Sequence, residues 1–360
     1  MTTGALLMMR IMICNCFSTE DITRHCMCSF DGVELMPMVK LSEEDRKLLF
    51  IMQMRTREPV PSLAKLVGET EHSTRRRLGR LQNMDILHTM PILNLSVLGY
   101  SRFKIIFSTG KNLKSSKSAL FEAIIRHPQT LFLADVGGDG EAALIAIAKS
   151  FEHLSVYLRS FSNEFEGAFL IKEVLPILGH CFIGTRELAP STPRQPAIEW
   201  RESENRTTID SENSSILYHY CNSKIRSLSE LSRLIKIPQS TLSYRLSVME
   251  KEGLIAGYFN GFDPVDLGMF PFHIYLSFRG MSDKIESKLY KLALDSTEVD
   301  LITRHIGSWD FALLCYVKSA RALTPFTDKL NESFRENLAK LSIVPQFNTY
   351  LWTEFNIKKL

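Results

Sequence analysis

Long apolar runs are missing from this chain. No stretch approaches the ~18 consecutive apolar residues that a membrane-crossing helix needs, so there is no candidate membrane span. A surplus of one charge is missing too: 43 Lys and Arg stand against 40 Asp and Glu, a net of +3. That is too little to reveal a nucleic-acid partner by bulk charge, so any such partner has to be found in local clusters. Cysteine is scarce beyond residue 40. Of seven in all, only Cys181, Cys221 and Cys315 lie there, singly and in apolar surroundings. That suits small core residues in a reducing cytoplasm rather than a disulfide framework. The hydrophobic fraction of 45% and charged fraction of 23% are those of a globular protein, long enough at 360 residues for two or more domains.

Residues 1–40 are unlike the rest. They hold Cys14-x-Cys16 and Cys26-x-Cys28 beside His25, and they are rich in Met. Thiolates in close pairs suit Zn or Cu(I), but the spacing is one residue short of the usual pair and the segment carries no periodicity. It reads as a disordered tail, or as an upstream extension that is not translated, with the start near Met36 or Met38.

The most informative stretch is 227–258, SLSELSRLIKIPQSTLSYRLSVMEKEGLIAGY. Leu228, Leu231 and Leu234 recur at helical spacing, Ser227 is placed to cap that helix, and Glu230 three residues on completes a capping box. Ile235-Lys236-Ile237 makes the turn, and Pro238 opens a second helix. That helix carries Leu242, Leu246 and Met249 as one narrow apolar stripe. Ser240, Tyr244 and Lys251 fall roughly opposite it. Gly253 stops the helix, and residues 254–258 read as a short strand. Two short helices around a tight turn, then a strand, is the pattern of a winged helix-turn-helix. An ordinary helical hairpin with a solvated face has the same spacing. What separates the two is that the pattern occurs twice.

Leu49, Leu63, Leu66, Arg77 and Leu78 recur as Leu217, Leu231, Leu234, Arg245 and Leu246, a constant offset of 168 (217 − 49). From Leu98-Gly99 and Leu267-Gly268 onward the offset is 169 (267 − 98), and it carries Gly138 to Gly307, Phe165 to Phe334 and Pro176 to Pro345. This is an internal duplication. After its helix-turn-helix each copy predicts β-α-β-β-α-β. In the second, strands fall over 272–278, 299–306, 311–317 and 344–355, with helices over 282–294 and 324–341. In the first, strands fall over 103–108, 130–136, 142–148 and 171–183, with helices over 116–125 and 153–165. That order is a ferredoxin-like sandwich, so the fold class is α+β. Residues 189–208, with Pro190, Pro193 and Pro196 among Ser, Arg and Glu, read as a linker that reaches ~65 Å when extended. The expected domains are a tail (1–40), a winged helix (41–100), a sandwich (101–188), the linker (189–208), a second winged helix (209–268) and a second sandwich (269–360).

A winged helix followed by this module resembles the leucine-responsive regulatory protein/AsnC family of transcription regulators. In the second copy the resemblance rests on Leu231-x-x-Leu234, on Ser240-Thr241-Leu242-Ser243-Tyr244-Arg245-Leu246, and on Met249-Glu250-Lys251-Glu252-Gly253-Leu254-Ile255. Asp263-Pro264-x-x-Leu267-Gly268 and Ile306-Gly307-Ser308-Trp309-Asp310-Phe311 carry it further. It covers nearly all of 41–355, with two units where most relatives have one. The first copy departs from the pattern, with Asp85-Ile86-Leu87 at the step into the wing. The resemblance implies a cytoplasmic regulator that binds specific sequences of double-stranded DNA through its winged helices. It also implies that the βαββαβ modules are effector and oligomerisation modules, paired through their sheets as a pseudo-dimer within the chain and building a homo-oligomer beyond it. A small-molecule effector, amino acid-like, is implied at Gly138, Asp139, Glu141, Gly307, Ser308 and Asp310. The wider fold includes cofactor-free decarboxylases of sirohaem, which is the alternative reading. Where that family's His-Asn-Tyr and Trp-Phe signatures should fall, this chain has Thr303-Arg304-His305, Trp309-Asp310 and Ala134-Asp135-Val136, and these do not match.

The third helix of the first copy carries Arg75, Arg76, Arg77 and Arg80, with His72 nearby; Arg76 and Arg80 face away from Leu78. Clustered guanidinium groups suit DNA phosphates, although a solvated face has the same composition. In the second copy Gln239, Ser240, Ser243, Tyr244 and Arg245 suit base edges or phosphates. No catalytic, metal or cofactor set stands out. Asp135, Asp139 and Glu141 beside a Gly-rich turn compose an ordinary turn as readily as an acid/base trio. His305 at a strand end is a ligand contact or a structural residue. The strand pattern adds that Ile274, Leu276 and Phe278 alternate with His273, Tyr275 and Ser277, so the module has a second face for a partner sheet. If residues 1–37 are dispensable, a chain starting at Met38 keeps the melting temperature and DNA affinity of the full chain. Loss of a stoichiometric metal with a fall in either quantity would show the opposite.

Overall fold

The first half is set out by its helix caps. In a computed structural model of the chain, which describes residues 40–84, 87–110, 114–138 and 140–357, Ser42 accepts from the Asp45 amide and Asp45 from the Ser42 amide. This full capping box starts α1 (Glu43–Met54). α2 (Val60–Val67) ends on Gly68, φ 82°, and Thr70 caps α3 (Glu71–Asn83). There follow β1 (His88–Leu93), β2 (Ser101–Ser108), α4 (Lys114–Arg126), β3 (Thr130–Val136), β4 (Ala142–Ala148), α5 (Phe151–Glu164), β5 (Leu170–Phe182) and a short β6 (Ile198–Arg201). The second half has α6 (Ser211–Asn222), α7 (Leu228–Ile235), α8 (Gln239–Lys251), β7 (Ile255–Gly261) and β8 (Phe270–Phe278). It continues with α9 (Asp283–Asp295), β9 (Val299–His305), β10 (Phe311–Val317), α10 (Thr324–Phe334) and β11 (Leu338–Trp352). Both ends of α6, α7 and α8 stand 168 residues (211 − 43) after those of α1, α2 and α3. Both ends of α9, β9 and β10 stand 169 (283 − 114) after those of α4, β3 and β4. The cysteine pairs of the N-terminus and Asp139 lie outside the described residues.

Three local expectations change. The Ser227 box is half formed: Ser227 accepts from the Glu230 amide, but the Glu230 carboxylate reaches one residue further, to the Arg226 amide at 2.8 Å. Leu66 and Leu234, expected inside, are 37% and 48% exposed, because on these short helices the core side is taken by Leu63 and Val67 in α2 and by Leu231 in α7. Residues 324–341 are not one helix. α10 ends at Phe334 because Leu338 to Leu341 pair with Phe278 to Leu276 of β8.

The two units are stitched together by strands. β1 and β7 pair antiparallel, from His88↔Gly261 to Leu93↔Ile255. The strand expected as a wing on its own unit is therefore half of a ribbon shared by both. Its Met90, Ile92 and Phe259 pack with Ile177, Phe182 and Trp200, an apolar surface that a free wing would leave in water. The remaining strands run β2-β4-β3-β11-β8-β10-β9-β5-β6, and β2 also pairs with β5. Eight strands thus close into a barrel with β6 added on. β5 pairs with β2 of its own module over its first half and with β9 of the other module from Ile177 to Phe182. β11 does the same with β8 and then β3. The Ile306 amide donates to the Pro176 carbonyl at 3.1 Å, and the Gly137 amide donates to the Pro345 carbonyl at 2.8 Å, the same bond at the 169 offset. Ile105, Phe107 and Leu144 face outward under α4 and α5, and Ile274, Leu276 and Leu313 face outward under α9 and α10. The expected linker is docked: β6 pairs with Gly179 to Phe182, and the buried Trp200 packs against His180 and Arg102. Composition suggested a free tether, but Ile198 and Trp200 anchor it to the open end of β5.

The inner face of the barrel is polar. Lys104, His180, His273, His305 and Gln346 are all buried there. Lys104 Nζ lies 4.8 Å from the centre of the Tyr275 ring, and His273 Nε2 lies 2.8 Å from Gln346 Oε1. The ring nitrogens of His180 and His305 have no hydrogen-bond partner among the described residues. Burial favours the neutral form of a base. It pushes Lys104 down to about 7 against the opposing charge of Glu173, His273 down to about 3, and His180 and His305 well below 6.5. Burial pushes Asp300 the other way, up to about 6.

Two outcomes are expected. Lys236 stands where the first half has Gly68 and has φ 58°, in the left-handed region; Lys236→Gly should raise stability by about 1 kcal/mol in urea unfolding, and no gain would mean the turn is unstrained. The second concerns pH. Histidines held neutral in the fold protonate near 6.5 when unfolded. The unfolded chain therefore binds more protons as pH falls below that value, and stability falls with it. Asp300 offsets one such group between about 6 and 3.8. Stability should thus drop from about pH 6 to about pH 5, and His305→Leu should remove ~1.4 kcal/mol per pH unit of that slope. An unchanged slope would mean His305 is charged in the fold.

Candidate nucleic-acid interface

α3 and α8 are the second helices of the two helix-turn-helix pairs. Their inner faces are Thr74 and Leu81 in α3, and Leu242, Leu246 and Met249 in α8. Outward, α3 exposes His72, Arg75 and Arg76. Among the described residues neither arginine has an ion-pair partner. α8 exposes Gln239, Ser240, Ser243 and Tyr244, the last 69% exposed. One head presents charge, the other hydroxyls, an amide and a ring. Arg57, ahead of α2, pairs with Glu250 of α8 at 2.9 Å and lies 4.0 Å from the Tyr258 ring centre, which holds the heads to each other.

The other arginines are engaged inside the units. Arg77 lies 2.9 Å from Glu69, 3.0 Å from Asp45 and 3.6 Å from Glu44, and donates to Ser42 Oγ at 3.1 Å. Arg80 also pairs with Asp45. Arg245 repeats the arrangement with Asp210 at 3.0 Å, Asn213 at 3.1 Å and Glu212. Ser42, Glu44 and Asp45 stand 168 residues before Asp210, Glu212 and Asn213 (210 − 42). In each unit the arginine therefore pins the third helix to the start of the first. Burial alone would raise the Asp45 carboxyl, but the hydrogen bonds from Arg77 and Ser42 outweigh it and hold it below 3.8. Nothing in the local spacing around Arg77 pointed to partners about thirty residues upstream.

The residues expected to meet an effector sit on two turns at the module junctions. Glu141 accepts from the Thr109 amide at 2.9 Å and from its hydroxyl, and the hydroxyl bond above all holds its carboxyl below the usual range. Asp310 accepts from the Phe278 amide at 2.7 Å. Gly307, φ 138°, lies so close to Leu175 of the other module that an added Cβ would come within 2.8 Å of it. Gly138 and Ser308 are exposed. The described members of this set line neither of two surface clefts. One, about 560 Å³, lies between α9 and β6 with Arg194, Arg201, Tyr290 and Arg304 in its wall. Its arginines are paired: Arg201 and Arg304 with Glu286 at 3.1 and 3.5 Å, and Arg194 with Asp295. The other, about 320 Å³, lies on α5. Asp135 is a structural residue, held by Lys117 at 3.0 Å, Asn348 at 3.2 Å and Tyr350. Sequence reasoning missed the inner polar cluster. The alternation along β8 placed His273 and Tyr275 on a second face, and the same alternation in the first copy placed Lys104 there, but neither put His180 and His305 beside them.

A family model described as bacterial regulatory protein, arsR family, matches residues 211–256, which span α6, α7, α8 and the start of β7. The chain is 30% identical over 125 residues to an uncharacterised HTH-type transcriptional regulator of Pyrococcus furiosus, covering 34% of this chain and 83% of that protein. It is 24% identical over 121 residues to the HTH-type transcriptional regulator FL11 of Pyrococcus abyssi, covering 33% and 79%. Among solved structures it is similar to the siroheme decarboxylase NirDL, with a TM-score of 0.54 at 14% identity over 88% of this chain and 94% of that one. At that identity the likeness is one of fold alone. With a helix-turn-helix in each half, and a relative at 30% identity matched over most of its length, the chain belongs to the HTH-type transcriptional regulators, built as two units resembling the leucine-responsive regulatory protein/AsnC kind.

Proposed function

We propose that the chain regulates transcription by holding double-stranded DNA with two unlike heads carried on one barrel. The observation that carries this is the pair of outward faces on α3 and α8, one with Arg75 and Arg76, unpaired among the described residues, the other with Ser240, Ser243 and the exposed Tyr244. Phosphate contacts position a protein on DNA and base contacts specify the site, and the two faces suit those separate tasks. The joined sandwiches serve as a covalent pseudo-dimer, so the preferred operator is asymmetric, since operator symmetry mirrors protein symmetry. A small amino acid-like effector acts at the turns around Gly138 and Gly307. Main-chain bonds to Pro345 and Pro176 join the modules there, so a ligand at either turn bears on both. The chain works in the cytoplasm and without catalysis.

The fold likeness over 88% of the chain favours a second reading, catalysis on a tetrapyrrole such as sirohaem. Against it, the arginines of the groove between α9 and β6 are already paired with Glu286 and Asp295. A sirohaem absorbance titration beside a DNA mobility-shift assay separates the two readings.

Arginine substitutions test the first. Arg75→Ala with Arg76→Ala should weaken binding to any DNA and flatten its salt dependence by up to ~2 contacts, with the melting temperature kept. Arg77→Ala should instead cost about 2 kcal/mol of stability by leaving the buried Asp45 short of a partner. Arg245→Ala, whose partners are more exposed, should cost about 1 kcal/mol. Unchanged affinity and salt slope in the Arg75/Arg76 variant would mean that the first head does not touch DNA.

A further inference from the structure

One helix of the first module carries an apolar stripe that is only partly covered among the described residues. On α5, Phe151, Ser155, Leu158 and Ser162 follow one another at helical spacing, and with Ile171 they line the groove of about 320 Å³. Phe151 is 77% exposed, and Ile171 in the same groove is 40% exposed. The Phe151 ring meets Phe103 edge-on, 6.1 Å between centres, so it has a seat on the surface. The duplication supplies a control. At the 169 offset the second module has Ala320 in the 3-10 turn ahead of α10, Thr324, Thr327 and Asn331 along α10, and Ala339 and Lys340 on the strand. The same fold forms with small and polar residues there, so the fold does not require the apolar ones. A contiguous apolar surface on one module of two marks a contact.

The stripe is complementary to itself. It reads bulky, small, bulky, small. Turning a second α5 end for end, about a two-fold axis between residues 156 and 157, sets Phe151 against Ser162 and Leu158 against Ser155. Each level then has a side chain facing a gap. Charge agrees with shape. Glu152 and Arg159 share one flank of the stripe, both well exposed and 2.8 Å apart within the chain. In the antiparallel pair each lies about 3 Å along the axis from its opposite on the other copy, within reach of cross-pairing. We propose that α5 is the surface on which a second copy of this chain docks, through an isologous contact of the first module alone. Because the second module lacks the stripe, the contact closes at two chains and does not propagate. The result is a particle with four heads, whether or not those heads bind DNA.

Light scattering on the full chain at tens of micromolar tests this. The wild type should show twice the chain mass of 41.1 kDa. Phe151→Glu and Ser162→Arg, changes at the bulky and the small end of the stripe, should each show a single chain mass with circular dichroism and melting temperature unchanged. Ala320→Glu, the matching position in the second module, should keep the doubled mass. A wild type of single mass overturns the proposal. So does a doubled or larger particle that survives both α5 variants, or one that Ala320→Glu dissociates.

Discussion

Exchange of two strand ends is the constraint on which the rest of this structure depends. β5 and β11 each leave their own module halfway along and finish on the other. A ferredoxin-like module by itself covers one sheet face with helices and leaves the other face, and the far half of its last strand, without partners. Here each module supplies what the other lacks. The inner faces, Lys104 from one and His273 and Tyr275 from the other, become a shared interior. The heads are then fixed from below. Arg102, bound to Glu354 at 2.8 Å, donates to the Leu93 carbonyl at 2.7 Å, and the Leu93 amide donates to Glu354 at 3.1 Å. Leu93 belongs to the β1–β7 ribbon that joins the two helix-turn-helix units, so barrel and heads are connected by buried charged groups that are strong at low dielectric.

Comparing the copies shows what the frame tolerates. The pinning arginine is kept in both units while its partners change: Glu44 is kept as Glu212, but Ser42 becomes Asp210 and Asp45 becomes Asn213. The pair Lys117–Asp135 becomes Glu286–Arg304 at the 169 offset, the same bridge with its charges exchanged. Lys104 becomes His273 in the interior, and Arg76 becomes Tyr244 on the outer face of the second helix. Contacts that set the relative placement of elements persist in kind. Groups that face solvent or the shared interior have diverged, and they have done so without moving the ends of α1 to α4 relative to α6 to α9.

The duplication was legible because it depends on chain spacing alone, and the helix start at Ser227 was legible because that residue caps within three residues of itself. What could not be read lies in partners distant in sequence. Arg77 looks like a DNA contact until Asp45 is beside it. Residues 338–341 look helical until β8 offers a ladder. The stretch 189–208 looks like a tether until Trp200 reaches β5. Likewise β7 looks like a wing until β1, more than 160 residues earlier by the offset, lies against it. In each case local propensity was overruled by an edge or a charge supplied from far along the chain.

Joining the pair in one chain changes what it can become. In a homodimer every substitution appears twice, so a head cannot gain charge or lose it alone. Here it can, and α3 and α8 have separated accordingly. The docked strap at β6 keeps the modules at an effective concentration in the ~mM range or above, so the pairing does not depend on how much protein is present. In the proposed function that permits a division of work between the heads. A head with free arginines gains affinity for any duplex and loses it steeply with salt. A head with hydroxyls, an amide and a tyrosine gains little without the right bases. Either alone makes a poor regulator, one indiscriminate and the other weak. Held rigidly on one barrel by the β1–β7 ribbon, the first brings the second to the groove, and specificity then resides in the head with the lower charge.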